Sequence, residues 1–148
     1  MIAILQRVKS AQVNINNKQY SKINNGLLIL LGINKIDTIT DVHYLINKIV
    51  KLRIFNDDKD KMNLSISDIN GDILVVSQFT LLANIHKGRR PSFTESAKPD
   101  DAKELYDLFI NQLKEYNNLN IQTGVFGSMM DIKLINNGPA TFILNSHN

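Results

Sequence analysis

Eight residues, Gly26 to Ile33, read GLLILLGI, and no other stretch restricts the fold as much. Between the two glycines every side chain is aliphatic, so the segment shows no in–out alternation. Extended as a strand, it must be covered on both faces. Such a strand sits centrally in a sheet, with further layers of structure above and below it. DILVVSQFTL, residues 72–81, supplies a second core strand. From Thr40 the apolar residues Val42, Leu45, Ile46, Ile49 and Val50 recur at helical spacing, which predicts an amphipathic helix over 40–52. Pro99 and Asp100 precede Asp101, and Glu104 follows three residues later, so a second helix is expected with a capping box at its start. Its buried stripe is Ala102, Leu105, Phe109, Leu113 and Tyr116.

The remaining segments read as strands and turns. MIAILQRV and AQVNI look like the arms of a hairpin, and RIFNDDKDKMNLSI like a loop between short strands. IQTGVF, MMDIKLI and ATFIL are strands, the last two joined by NNGP. No repeat, low-complexity tract or Pro/Gly/Ser linker interrupts the chain. The expected architecture is α/β: a single layered domain, residues 1–148, with mixed β-sheets and two main amphipathic helices.

Composition narrows the chemistry. The chain has no cysteine, which excludes disulfides, thiolate metal ligands and cysteine nucleophiles. His43, His86 and His147 form neither an H-x-x-x-H nor an H-E-x-x-H pair, so no zinc site is expected. DDKDKMNLS, residues 57–65, lacks the glycine and glutamate that a calcium loop needs and reads as a solvated turn. Only Glu95, Glu104 and Glu115 are glutamates, which leaves a paired-carboxylate hydrolase little to use. No signal peptide and no run of about 18 apolar residues is present, so the expected location is cytoplasmic. A net charge of +3 and a pI near 9.1 permit an anionic partner without requiring one.

LVVSQFTLLAN, residues 74–84, places Ser77, Gln78 and Thr80 in the middle of an apolar run. Buried polar groups need partners or cost stability, roughly 1–3 kcal/mol each. Either these groups are satisfied in the core, or they and their backbone face a ligand. Ser77 or Thr80 as a nucleophile needs an adjacent base, and no histidine or carboxylate lies near them in sequence. HKGRRPSF, residues 86–93, concentrates positive charge beside a glycine; it reads as a solvated loop or as a phosphate contact. In INNGPATF the Asn-Gly pair signals a hairpin turn, whereas Gly138-Pro139 also suits a place where backbone approaches a ligand closely.

Taken together, IAILQRV, GLLILLGI, LRIFND, KMNLS, LVVSQFTLLA, GRRPSF, ELYDLF, QTGVFG and INNGPATF resemble the D-aminoacyl-tRNA deacylase family nearly end to end. The S-Q-F-T strand and the N-x-G-P-x-T-F ending stand in the family's order and spacing. The resemblance implies an enzyme that hydrolyses the ester between a D-amino acid and the 3′-terminal adenosine of tRNA. It implies a homodimer in which Gly138-Pro139, with a cis bond, reaches from one subunit into the pocket of the other. There it receives the substrate amino group and leaves no room for an L side chain. Arg7 matches the arginine that holds the Gly-Pro loop. Ser77, Gln78, Phe79 and Thr80 match the strand lining the pocket, and Phe126 and Met130 match apolar positions around the adenine and aminoacyl end. Arg89 carries no catalytic role in the resemblance. No cofactor, metal or membrane is implied.

An aminoacyl ester is already activated, and the ribose 2′-hydroxyl can assist its hydrolysis. The expected mechanism is therefore orientation plus oxyanion stabilisation by the amides at Phe79 and Thr80, with Thr80 as a direct nucleophile the alternative. The reading from another class is a non-catalytic tRNA- or RNA-binding module that uses only the basic loop and the positive charge.

Overall fold

The computed structural model describes residues 1–86 and 88–147. β1 (Ile2–Ile15) is the organising strand. Along one edge it pairs antiparallel first with β3 (Gly26–Gly32) and then with β2 (Lys18–Ile23); along the other it pairs with β8 (Asp131–Asn145). Beyond β3 the order continues with β6 (Asp72–Ser77) and β7 (Asn120–Thr123), both parallel ladders. The sheet curls until β2 comes against β7, where the Ser21 hydroxyl donates to the Thr123 carbonyl at 2.8 Å. A short hairpin of β4 (Phe55–Asn56) and β5 (Met62–Leu64) stands apart.

The parallel ladders require crossovers, and the two helices provide them. Helix α1 (Ile39–Lys51) lies between β3 and β6, and α2 (Pro99–Leu113) between β6 and β7. Both pack on one face of the sheet. There Val42, Leu45 and Ile49 of α1 and Tyr106, Phe109 and Leu113 of α2 meet Ala3, Leu5, Leu27, Ile29, Ile73 and Val75. The opposite face carries a smaller cluster of Val8, Ala11, Val13, Ile23, Leu28, Leu74 and Val76. β3 contributes to both, as its unbroken apolar run requires.

Several elements differ from the sequence reading. MIAILQRV and AQVNI are not the arms of a hairpin: they form one strand, because the ladder with β8 resumes at Ser10 after a register shift at Lys9. The true partner is β2, and the turn is Asn16-Asn17, both at positive φ (50° and 62°), as a tight hairpin connection demands. NNGP joins no two strands either. β8 runs through it, and Asn137 to Ala140 bulge out opposite the single residue Arg7, between the pairs Gln6–Thr141 and Val8–Asn136. DILVVSQFTL is strand only as far as Ser77; Phe79–Leu82 is a 3-10 turn.

The capping box expected for α2 does not form. Lys98 is its N-cap residue without a side-chain bond, and Pro99 opens the helix, where its missing N–H costs nothing. Tyr106 and Ile110 complete the buried stripe, while Tyr116 lies beyond the helix end and is half-buried. It is α1 that has the box. The Thr38 hydroxyl accepts from the Thr40 amide at 3.3 Å, and the Asp41 carboxylate accepts from the Thr38 amide at 2.8 Å. Burial alone would raise the Asp41 pKa. Hydrogen bonds from Ser146 and Thr38, with the nearby His147, outweigh it and hold the carboxyl below its usual 3.8.

A group with a depressed folded-state pKa contributes stability above its unfolded value and loses it as pH falls. Asp41→Asn is therefore expected to destabilise the protein at neutral pH, with the gap to wild type closing as pH drops below 3.8. Thr38→Ala is expected to cost about 1 kcal/mol, while Asp101→Asn stays within about 0.5 kcal/mol. Urea denaturation at two pH values reads all three.

Candidate active site

The ladder between β3 and β6 ends at the pair Leu31–Ser77. One further bond, from the Gln78 amide to the Leu31 carbonyl at 2.7 Å, closes it. The chain then turns into the 3-10 segment, whose own bonds begin with the Leu81 amide donating to the Gln78 carbonyl and the Ala83 amide to the Thr80 carbonyl. The first N–H groups of a helical segment have no partner inside it. Here those groups are the amides of Phe79 and Thr80, and among the described residues neither donates a hydrogen bond. Gly32 makes the turn possible. A Cβ there would lie 2.6 Å from Leu82 Cδ2 and 3.1 Å from the Gln78 carbonyl oxygen, so any other residue would press on Leu82 and on the start of the turn.

The two free amides border a cleft of about 630 Å³. Val76, Ser77, Gln78, Phe79 and Thr80 form one wall; Phe126 and Met130 stand on another, and Ser96, Ala97 and Pro99 close the rim. The lining contains no histidine, carboxylate, lysine or arginine. The Gln78 side-chain amide donates to Thr80 Oγ1 at 2.5 Å, which spends a hydroxyl lone pair. Among the described residues Thr80 has no base beside it, and the cleft lining offers no donor set suited to a metal ion.

The apolar end is braced from below. The Phe126 ring packs on Tyr106 at 5.6 Å between centroids, and the Tyr106 hydroxyl donates to the Val75 carbonyl at 2.9 Å. Burial, then the charges of Asp107 and Tyr20, push the Tyr106 pKa up, so it remains a neutral donor. Met130 Sδ accepts weakly from the Val125 amide at 3.4 Å. Tyr106 and Ser96, whose hydroxyl donates to the Phe79 carbonyl at 3.3 Å, were not picked out from the sequence. Tyr106 lies four residues after Ala102 and three before Phe109, so the helical stripe itself was the signal.

Arg7, Gly138 and Pro139 are not in this cleft. Arg7 is buried opposite Leu27, whereas the cleft begins at Leu31. Four residues of strand separate them, roughly 13 Å at about 3.3 Å per residue. Gly138-Pro139 lies beyond Arg7, on the edge of β1 away from β3. The Gly138-Pro139 bond is cis, and both residues are exposed. Arg7 fixes the bulge from behind: Nε donates to the Asn137 carbonyl at 2.9 Å, and Nη1 to the Ile54 carbonyl at 2.7 Å and Asn56 Oδ1 at 3.0 Å. Gly138 has φ +134°, and a Cβ there would stand 2.9 Å from Arg7 Nη2.

None of the histidines lines the cleft. His43 Nε2 meets the Gln112 side chain. His147 meets Asp37 and Asp41 in a cluster that sequence spacing hid, and there the N-terminal ammonium already occupies Asp37. His86, Arg89 and Arg90 are exposed; Lys87, the remaining cation of the basic loop, lies outside the described residues.

Gly138→Ala is expected to cost about 1–3 kcal/mol, because it forces an L residue into that backbone region against a pinned guanidinium. Arg7→Ala is expected to cost at least about 2 kcal/mol, since it strands the buried Ile54 carbonyl. Equilibrium unfolding of the two variants checks both, and a loss under about 0.5 kcal/mol for Gly138→Ala would show that the bulge relaxes freely.

Residues 4–145 match the family model described as D-Tyr-tRNA(Tyr) deacylase. The chain is 54% identical over 146 residues to the D-aminoacyl-tRNA deacylase of Thermosipho africanus, covering 99% of this chain and 97% of that one. With the D-aminoacyl-tRNA deacylase of Aquifex aeolicus it shares 51% over 146 residues, 99% and 98% of the two chains. Among solved structures it resembles the c-Myc DNA unwinding element binding protein (TM-score 0.92, 37% identity, 98% of each chain). A probable eukaryotic D-amino acid tRNA deacylase (TM-score 0.81, 19% identity, 97% of each chain) shares the fold.

Proposed function

The chain belongs to the D-Tyr-tRNA(Tyr) deacylase family, and on that premise we propose that it hydrolyses the ester joining a D-amino acid to the 3′-terminal adenosine of tRNA. The observation that carries the reading is the pair of free amides at Phe79 and Thr80, at the edge of a cleft without a titratable side chain. Two adjacent unpaired N–H groups suit an oxyanion, and a cleft whose described lining holds no base suits an ester that needs none from the protein. The substrate carbonyl oxygen lies on these amides. Water attacks the carbonyl carbon, the ribose 2′-hydroxyl assists, and the C–O bond to the ribose breaks. The attacking water's protons pass to the departing ribose oxygen and to solvent, so the free amino acid and an intact tRNA 3′ end leave. Phe126 and Met130 pack the adenine and aminoacyl end, and Ser77 and Gln78 hold the wall on which Thr80 stands. Neither a metal nor a cofactor takes part.

Chirality is read by a second copy of the chain. An exposed Gly138-Pro139 on the far edge of β1 cannot serve the cleft of its own subunit. In a homodimer it enters the partner's cleft, where its carbonyls take the substrate amino group and exclude an L side chain. Support comes from the surroundings of the bulge. Ile143 is 72% exposed and Ile135 57% exposed on β8, apolar side chains of the kind that subunit interfaces cover. The protein acts as a single domain, in the cytoplasm, where aminoacylated tRNA is found.

With purified protein and a chelator present, D-Tyr-tRNA is expected to be deacylated while L-Tyr-tRNA is spared. Protection of both esters would reject the catalytic reading in favour of an RNA-binding module. Gly-tRNA, whose amino acid has no side chain to exclude, is expected to be cleaved as well. Thr80→Ala is expected to lower kcat less than about tenfold, since the amide survives; a loss near the 10²–10³-fold expected for a missing oxyanion donor would point to the hydroxyl instead.

A further inference from the structure

The cleft accounts for the terminal aminoacyl-adenosine, yet nothing in it carries charge, and a tRNA end is a string of phosphates. The nearest concentration of unopposed positive charge is the loop between Leu82 and Phe93. Its arms are joined by a two-way bridge: the Asn84 amide donates to the Ser92 carbonyl at 2.8 Å, and the Ser92 amide to the Asn84 carbonyl at 3.0 Å. The Asn84 side chain accepts from the His86 amide at 3.0 Å, which shapes the ascending arm. At the tip Arg89 and Arg90 are fully displayed, and neither has a carboxylate partner among the described residues. The carboxylates that follow are committed elsewhere. Glu95 is held by Lys35 at 3.0 Å, and Asp100 and Asp101 occupy the first turn of α2, where a helix N-terminus favours them.

The base of this loop is joined to the cleft. Phe93, directly after the bridge, stands edge-on to Phe79 at 4.9 Å between centroids and 62° between planes. Both rings remain exposed, Phe79 at 58% and Phe93 at 36%. Phe79 itself lines the cleft. An aromatic pair leading from an ester-binding cleft to unpaired arginines is the arrangement that single-stranded nucleic acid uses, bases on rings and phosphates on guanidiniums.

We propose that the Asn84–Ser92 hairpin is the tRNA-holding element. Arg89 and Arg90 take phosphates of the 3′ strand upstream of the terminal adenosine, and the Phe79–Phe93 pair offers a face to the neighbouring base. The proposal rests on the deacylase reading and names the contact through which that site receives its tRNA.

The test compares two substrates of the same chemistry, D-Tyr-tRNA and D-tyrosyl-adenosine, which carries no phosphate. For the double variant Arg89→Ala/Arg90→Ala, kcat/KM on D-Tyr-tRNA is expected to fall roughly tenfold at low salt, with kcat preserved. Its dependence on log salt is expected to be shallower by about 1.4, as two lost single-strand phosphate contacts dictate. On D-tyrosyl-adenosine the variant is expected to match wild type. Equal losses on both substrates would overturn the proposal, making the loop a support for the cleft; so would an unchanged salt slope on tRNA. If wild-type protein cleaves neither ester, the deacylase reading itself has failed, an outcome separate from either of these.

Discussion

The hydrogen bond from the Gln78 amide to the Leu31 carbonyl decides where the sheet ends, and much of the rest depends on that end. It is the last bond of the β3–β6 ladder. Were the strand to continue, the Thr80 amide would again face β3 and the Phe79 amide the opposite edge. Because the chain instead tightens into a 3-10 turn, the Phe79 and Thr80 amides are left over at the lip of an apolar cleft. Gly32 removes the Cβ that would block the turn, and the Gln78 side chain closes on Thr80 Oγ1. Three local conditions thus convert a strand terminus into a pair of donors. The cost is small, because a strand end at the surface has unsatisfied N–H groups in any case.

A second constraint operates within β1, at Arg7. One guanidinium reaches the Asn137 carbonyl, the Ile54 carbonyl and the Asn56 side chain together. It thereby fastens a four-residue bulge of β8 to the segment that follows α1. Arg is suited to this because its donors are fixed in a planar fork and remain charged when buried. The bulge exposes Gly138-Pro139 on a backbone that Arg7 pins at Asn137, and preorganisation of that kind is what the proposed chirality filter requires. In the proposed mechanism both functional pieces are therefore backbone, held in place by the Gln78 and Arg7 side chains.

Legibility followed the range of the interactions. GLLILLGI declared a strand buried on both faces, and α1 was visible from its spacing alone, because each depends on the residues' own hydrophobicity. The capping box was placed on the wrong helix. Asp101 and Glu104 have the right spacing, but Pro99 at the first helical position starts α2 without them. NNGP carries the Asn-Gly signal of a hairpin, yet β8 runs through it. A turn signal states that the chain can turn, whereas the ladder on the other strand decides whether it does, and β1 pairs with β8 on both sides of the bulge.

By itself the sequence determined the class of the protein: no thiol, no metal-ligand spacing, interleaved strands and helices, and a motif series matched from end to end by one family. Those properties reside in residue types and their order. The tertiary structure alone decided which amides are free, that no base stands beside Thr80, and that Gly138-Pro139 lies about 13 Å along the sheet and across β1 from the cleft it would serve. A backbone N–H is the same group at every position but proline, so its availability is written only in what the rest of the chain leaves unpaired.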